Sequence, residues 1–133
     1  MKTRSIEQTY FFAVSPERVY EAYTNPEKHA AFTGDEAGGR PEPGHEFNAY
    51  GDYITGKYLE LVKDKKIVQE WQTAEWPEGY PPSKLTITLE PSDKGTLLTM
   101  IHTDVPDSQA ETYRQGWIEY YWEPMEEYFR DNA

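Results

Sequence analysis

The chain has 133 residues, a length that favours one domain around one core, residues 1–133, with no room for a separate regulatory unit. It carries 24 acidic and 13 basic side chains, a net charge of −11 at pH 7, so neither a nucleic-acid partner nor an anionic membrane surface is expected. The absence of cysteine removes disulfides, thiolate catalysis and cysteine-ligated zinc or iron–sulfur centres, while aromatic residues, at 15%, supply the large buried area that a small core needs.

The opening MKTRSIEQTYFF breaks into polar alternation instead of a continuous apolar stretch. No segment approaches the ~20 apolar residues of a membrane span, and the expected setting is cytoplasmic. From Arg4 to Ala13, Ile6, Gln8, Tyr10 and Phe12 alternate with Glu7, Thr9, Phe11 and Ala13, the period of a strand. Ser15-Pro16-Glu17 then offers a capping hydroxyl, a proline for the first helical position and an acid at the positive helix end, ahead of the apolar Val19, Tyr20, Ala22 and Tyr23. Asn25-Pro26-Glu27 repeats the signal, and a second short helix is predicted to run to about Phe32, with Gly34 as its stop.

Gly34 to Gly44 has Gly, Pro and charge without period and reads as a loop. Strands are predicted near His45 to Tyr50, Tyr53 to Val62, Lys66 to Thr73, Lys84 to Glu90 and Thr96 to Thr103, joined mostly by short turns that make neighbours antiparallel. Leu85, Ile87 and Leu89 alternate with Lys84, Thr86, Thr88 and Glu90, as in a sheet with one dry face. Ser108 and Glu111 spell a capping box, and a helix is predicted from Gln109 to Arg130 with Tyr113, Trp117, Tyr120, Pro124 and Tyr128 at spacings of three and four. Pro124 has no amide hydrogen and crowds the Tyr120 carbonyl, so a kink is predicted there.

The order is α+β: a curved antiparallel sheet of six or so strands, two short helices after the first strand, and one long C-terminal helix across the concave face. The volume between sheet and helix is where a guest would lodge. Its candidate lining is Trp71, Ile87, Met100 and His102 from the strands and Tyr113, Trp117, Tyr120 and Tyr121 from the helix. If Leu98 and Met100 face inward, period-two alternation sends His102 inward too, as a polar tip or as a ring satisfied by its neighbours. Trp76, Pro77, Glu78, Gly79 and Tyr80 belong to a proline-stiffened connection suited to a partner surface, or to Trp76 folding back over the sheet edge. His29 and His45 fit no metal spacing, and no phosphate loop occurs; neither metal nor cofactor is expected.

Ser15-Pro16-Glu17-Arg18-Val19-Tyr20, Gly56-Lys57-Tyr58-Leu59-Glu60-Leu61-Val62, the Trp71 to Gly79 segment with Trp76-Pro77-Glu78-Gly79, and Arg114-Gln115-Gly116-Trp117 followed by Tyr120-Tyr121 carry a family resemblance. The chain resembles the activator of the ninety-kilodalton heat-shock chaperone ATPase, in its C-terminal domain, within the START-like superfamily also called SRPBCC. The resemblance runs from about Ile6 to Phe129, and WPEG paired with a downstream QGW-x-x-YY is its most specific part. It implies a helix-grip fold whose cavity, in many relatives, accepts an apolar ligand. It also implies a chaperone partner: in the eukaryotic cochaperone this domain touches the chaperone's N-terminal regions, while a separate domain, without counterpart in this sequence, contacts the middle segment. Arg40-Pro41-Glu42-Pro43-Gly44 after Gly38-Gly39 departs from the family's loop, where glycines immediately precede the strand.

Three functions are therefore expected, in this order. The first is a non-enzymatic domain that binds an apolar, amphipathic or lipid-like small molecule in a bacterial, stress-related role. The second is a cochaperone-like protein that docks on a heat-shock chaperone and modulates its ATPase. The third is a cyclase or hydrolase in the same cavity, which requires His102 beside a second polar group.

Overall fold

In the computed structural model, which describes residues 1–132, strand β1 (Thr3–Phe12) gives way to helix α1 (Pro16–Thr24) at Ser15, whose Oγ accepts a hydrogen bond from the Arg18 amide. Asn25 repeats the device for α2 (Pro26–Thr33): its Oδ1 accepts from the Lys28 amide at 3.0 Å, and Gly34 closes the helix in the left-handed region. Both helices start where the Ser-Pro-Glu and Asn-Pro-Glu signals place them, because each cap supplies an acceptor to an otherwise unpaired first-turn amide.

Strands β2 (Gly38–Gly39), β3 (Glu46–Ala49), β4 (Ile54–Val62), β5 (Lys66–Thr73), β6 (Ser83–Ser92) and β7 (Gly95–Pro106) complete a seven-stranded sheet of order β1-β7-β6-β5-β4-β3-β2. Every neighbouring pair is antiparallel. The short β2 corrects the reading of Gly34 to Gly44 as loop throughout, since Gly38 and Gly39 pair with Asn48 and Phe47. Glycine is required there: Gly39 has φ 108°, and a Cβ would stand 2.4 Å from the Glu46 carbonyl oxygen. Gly56 likewise lets β4 meet β5, because a Cβ on it would lie 1.9 Å from the Glu70 oxygen. Register shifts between Arg4 and Ile6 and between Tyr58 and Glu60 are bulges that bend the sheet.

Alternation on β6 and β7 turns Leu85, Ile87, Leu89, Leu98, Met100 and His102 to the inner face, where all are buried. The C-terminal helix covers that face, but not as one continuous rod. A 3₁₀ turn (Asp107–Gln109) leads into α3 (Ala110–Trp117), a π-helical segment (Ile118–Trp122) and α4 (Glu123–Asp131). The capping box does not form. The 3₁₀ turn places Ser108 inside the first turn, with the Ala110 amide bonded to the Asp107 carbonyl, and Glu111 pairs instead with Arg114.

The π segment also changes which residues face inward. Tyr113, Trp117, Tyr121, Met125 and Phe129 form a buried stripe at constant spacing of four, joined by Trp122. In a regular α-helix that spacing drifts by ~40° per step, and the wider π turn takes up the accumulated drift. Tyr120, predicted on the buried stripe, is consequently 56% exposed, and Tyr128 is half-buried.

Candidate functional site

A cavity of about 410 Å³ lies between the C-terminal helix and the β3–β4 end of the sheet. Its wall comes from Tyr50 and Tyr53 on either side of the β3–β4 turn, Ile54 and Trp71 on the sheet, and Tyr113, Gly116, Trp117, Tyr120 and Tyr121 on the helix. Asp35 and Thr112, both exposed, complete it. Of the residues expected there, Trp71, Tyr113, Trp117, Tyr120 and Tyr121 line the cavity. Ile87, Met100 and His102 do not, a correction with a simple cause: each is at most 1% exposed and packed in the core behind the wall.

His102 is held by a chain of hydrogen bonds. Trp117 Nε1–H donates to His102 Nδ1 at 3.2 Å, so the ring proton sits on Nε2, which donates to Ser83 Oγ at 2.7 Å. Ser83 in turn donates to the Trp71 carbonyl at 2.6 Å. Trp71 stands edge-on to the imidazole, with centroids 4.7 Å apart. Burial drives the imidazole pKa down to about 3, so the ring is neutral with both nitrogens engaged. That is a structural arrangement, and the cyclase or hydrolase reading draws no support from it.

The sequence reading missed a second buried imidazole. His29 on α2 donates from Nδ1 to the Tyr23 carbonyl at 2.8 Å and accepts at Nε2 from the Tyr121 hydroxyl at 3.0 Å. Burial lowers its pKa to about 4, partly opposed by the Tyr23 carbonyl. The available signal was its spacing of three from Phe32, which places both on the buried side of α2.

Three of the cavity's other donors, the hydroxyls of Tyr50, Tyr53 and Tyr113, are similarly taken up. Tyr50 donates to the Tyr120 carbonyl and Tyr53 to Glu75 Oε1, both at 2.6 Å. Tyr113 donates to Gln109 Oε1 at 2.6 Å and receives the Thr73 hydroxyl at 2.6 Å; Gln109 Nε2 closes the circuit on the Glu75 carbonyl. Burial raises the pKa of Tyr50 and of Tyr53 to about 12, with the Glu75 contact adding to the latter, so both stay protonated donors. The indole N–H of Trp71 is different: it is buried with no hydrogen-bond partner among the described residues.

Trp76 folds back from its connection onto the helix, its ring stacked on Tyr113 at 6.0 Å and 22°, with Nε1–H donating to the Pro81 carbonyl at 3.0 Å. Pro77 and Tyr80 are half-buried, and Glu78 and Gly79 stand outermost. Among the described residues no three His, Asp or Glu side chains are grouped to hold a metal ion.

Comparison with known proteins adds to this geometry. A family model described as Activator of Hsp90 ATPase homolog 1-like protein matches residues 13–130. Activator of 90 kDa heat shock protein ATPase homolog 1 from Mus musculus and from Homo sapiens are each 36% identical to the chain over 120 residues. The match covers 89% of this chain and 35% of each relative, so the chain spans about a third of the length of these curated relatives. Among solved structures, an HSP90 activator from Plasmodium falciparum superposes with a TM-score of 0.87 at 24% identity, covering 94% of this chain and 95% of that one. The Aha1 dimer from Colwellia psychrerythraea gives a TM-score of 0.72 at 18% identity over 88% and 90%. These structural likenesses establish the shared fold, a curved sheet gripping a C-terminal helix.

Proposed function

The chain belongs to the Activator of Hsp90 ATPase homolog 1-like protein family, and from that premise we propose that it docks on a ninety-kilodalton heat-shock chaperone and modulates its ATPase. The observation that carries the reading is the 36% identity to activators of that ATPase across 89% of the chain. A cytoplasmic setting and a single functional unit belong to the same proposal. No helix among the described residues is long and apolar enough to cross a membrane.

The proposed contact is the outer side of the Trp76 to Tyr80 connection. Trp76 anchors it from beneath through its stacking on Tyr113 and its bond to Pro81, while Tyr80 donates to the Lys2 carbonyl at 3.3 Å. Glu78 and Gly79 are thus presented on a loop already ordered, which lowers the entropy lost on association. Steady-state ATPase assays of the cognate chaperone with increasing amounts of the chain test this. A saturable change in turnover is expected, with Glu78→Lys weakening the half-maximal concentration about tenfold, the effect of ~1.4 kcal/mol at an interface. Unchanged turnover, together with no binding by calorimetry at tens of micromolar, removes the reading.

A second reading is favoured by the cavity itself. A ring-lined space of about 410 Å³ falls in the size range of small-molecule sites, and the proposed occupant is an apolar or amphipathic small molecule.

A further inference from the structure

The mouth of the cavity carries charge of one sign. Seven of the eleven residues around the cavity are Tyr or Trp, none is Lys or Arg, and the one ionised side chain among them is Asp35. Its Oδ1 accepts from the Glu36 amide at 2.7 Å, and the carboxylate enters no ion pair among the described residues. The hydroxyls of Thr112 and Tyr120 also line the cavity without a protein partner, but both residues are exposed and within reach of water.

The tyrosines beside Asp35 are held in place at a conformational cost. Tyr50 has φ 51°, in the left-handed region that a bulky side chain rarely adopts. Its hydroxyl donates to the Tyr120 carbonyl at 2.6 Å, and its ring stands at 79° to the Tyr120 ring with centroids 5.8 Å apart. The amide of the next residue, Gly51, donates to the Glu36 carbonyl at 2.9 Å, which ties this turn to the segment carrying Asp35. Burial, then Tyr120 and the Asp35 charge, push the Tyr50 hydroxyl up to about 12, so the carboxylate acts on this ring electrostatically. Aromatic faces are negative. Two perpendicular tyrosines beside an unpaired carboxylate therefore make a corner of negative potential with no cation of its own.

We propose that this corner binds a small organic cation bearing a trimethylammonium group, which packs against Tyr50 and Tyr120 with Asp35 as its counter-charge. This rests on the reading that the cavity admits a small molecule and adds that charge at the mouth selects it. A trimethylammonium group spreads its charge over methyl groups, needs no hydrogen-bond acceptor, and is attracted by rings within ~6 Å. A primary ammonium is more strongly hydrated and brings three N–H donors, while the hydroxyls of Tyr50, Tyr53 and Tyr113 already donate to protein acceptors. An anion meets Asp35 and a net charge of −11.

The test titrates the intact ¹⁵N-labelled chain, up to tens of millimolar, with choline, its neutral carbon isostere 3,3-dimethyl-1-butanol and its unmethylated parent ethanolamine. A fourth titration uses 2-naphthol, a neutral ring probe. Choline is expected to saturate, to move the amide signals of Asp35, Gly51 and Tyr120, and to bind about tenfold tighter than the alcohol or ethanolamine. Asp35→Asn keeps an Oδ1 acceptor for the Glu36 amide but removes the charge, and Tyr120→Leu keeps an apolar wall without a ring face. Each is expected to weaken choline about fivefold and to leave the alcohol unchanged.

If the alcohol binds as tightly as choline, charge does not select the guest and the proposal falls while the small-molecule reading stands. If ethanolamine binds as tightly as choline, the assigned methylated class is wrong. If both variants bind choline as the wild-type chain does, the cation lies elsewhere and the corner is not its site. If 2-naphthol binds and choline does not, the cation proposal falls alone; if none of the four binds, the small-molecule reading falls with it. The wild-type comparison of the four probes stands even if a variant fails to fold.

Discussion

His102 and His29 are neutral imidazoles in opposite tautomers, one protonated on Nε2 and the other on Nδ1. Their pKa values of about 3 and about 4 lie below the ordinary 6.5 chiefly because burial penalises the charged ring. In the unfolded chain each ring takes up a proton near pH 6.5, whereas the native ring stays neutral. Stability is therefore complete above pH 6.5 and declines as the pH falls toward each native value. Between pH 6.5 and pH 5 each histidine removes about 2 kcal/mol. The urea midpoint is expected to drop over that interval, with His102→Gln reducing the pH dependence. Imidazole ¹⁵N shifts at pH 5 should still report neutral rings; imidazolium signals from the native state would contradict the assignment. Period-two alternation was enough to send His102 inward from sequence. Its partners were not legible, because Ser83 and Trp117 come from another strand and from the helix, and no local pattern pairs them.

At the scale of elements, the C-terminal helix turns on Pro124. With no amide hydrogen, this proline leaves the Tyr120 carbonyl without its usual donor four residues on, and the Tyr50 hydroxyl supplies one at 2.6 Å. The proline is accommodated at the start of α4, directly after the π segment. The sequence made the break at Pro124 legible but not its form: a π turn advances the helix by an amount that no residue type specifies. That one uncertainty moved Tyr120 out to solvent and brought Tyr121 and Trp122 into the core. Similarly, the glycines around Gly38 and Gly39 read as loop because a two-residue strand has no periodicity to detect. A double-mutant cycle tests the Pro124 account. Tyr50→Phe is expected to cost about 1 kcal/mol in the native background and clearly less with Pro124→Ala, where a new amide competes for the Tyr120 carbonyl. Equal costs in both backgrounds, measured by denaturant unfolding, would sever the link between Tyr50 and Pro124.

For the whole molecule, the sheet, the two capped helices and the covering helix were legible because each rests on local signals: proline-led caps, alternation and aromatic spacing. The cavity was only half legible. Its helix side follows from Tyr113 and Trp117, but Tyr50, Tyr53 and Asp35 arrive through turns whose approach to the helix depends on the bend of the sheet. Chaperone docking rests on family membership and on an ordered, outward-facing loop, and a protein of charge −11 is expected to favour a basic face on its partner. The most direct measurement is a titration of the ¹⁵N-labelled chain with the unlabelled cognate ninety-kilodalton chaperone, read in ¹H–¹⁵N spectra. The account predicts saturable changes at tens of micromolar, centred on Glu78, Gly79, Tyr80 and the Trp76 indole and weakened by added salt. Spectra unchanged through that range would contradict it.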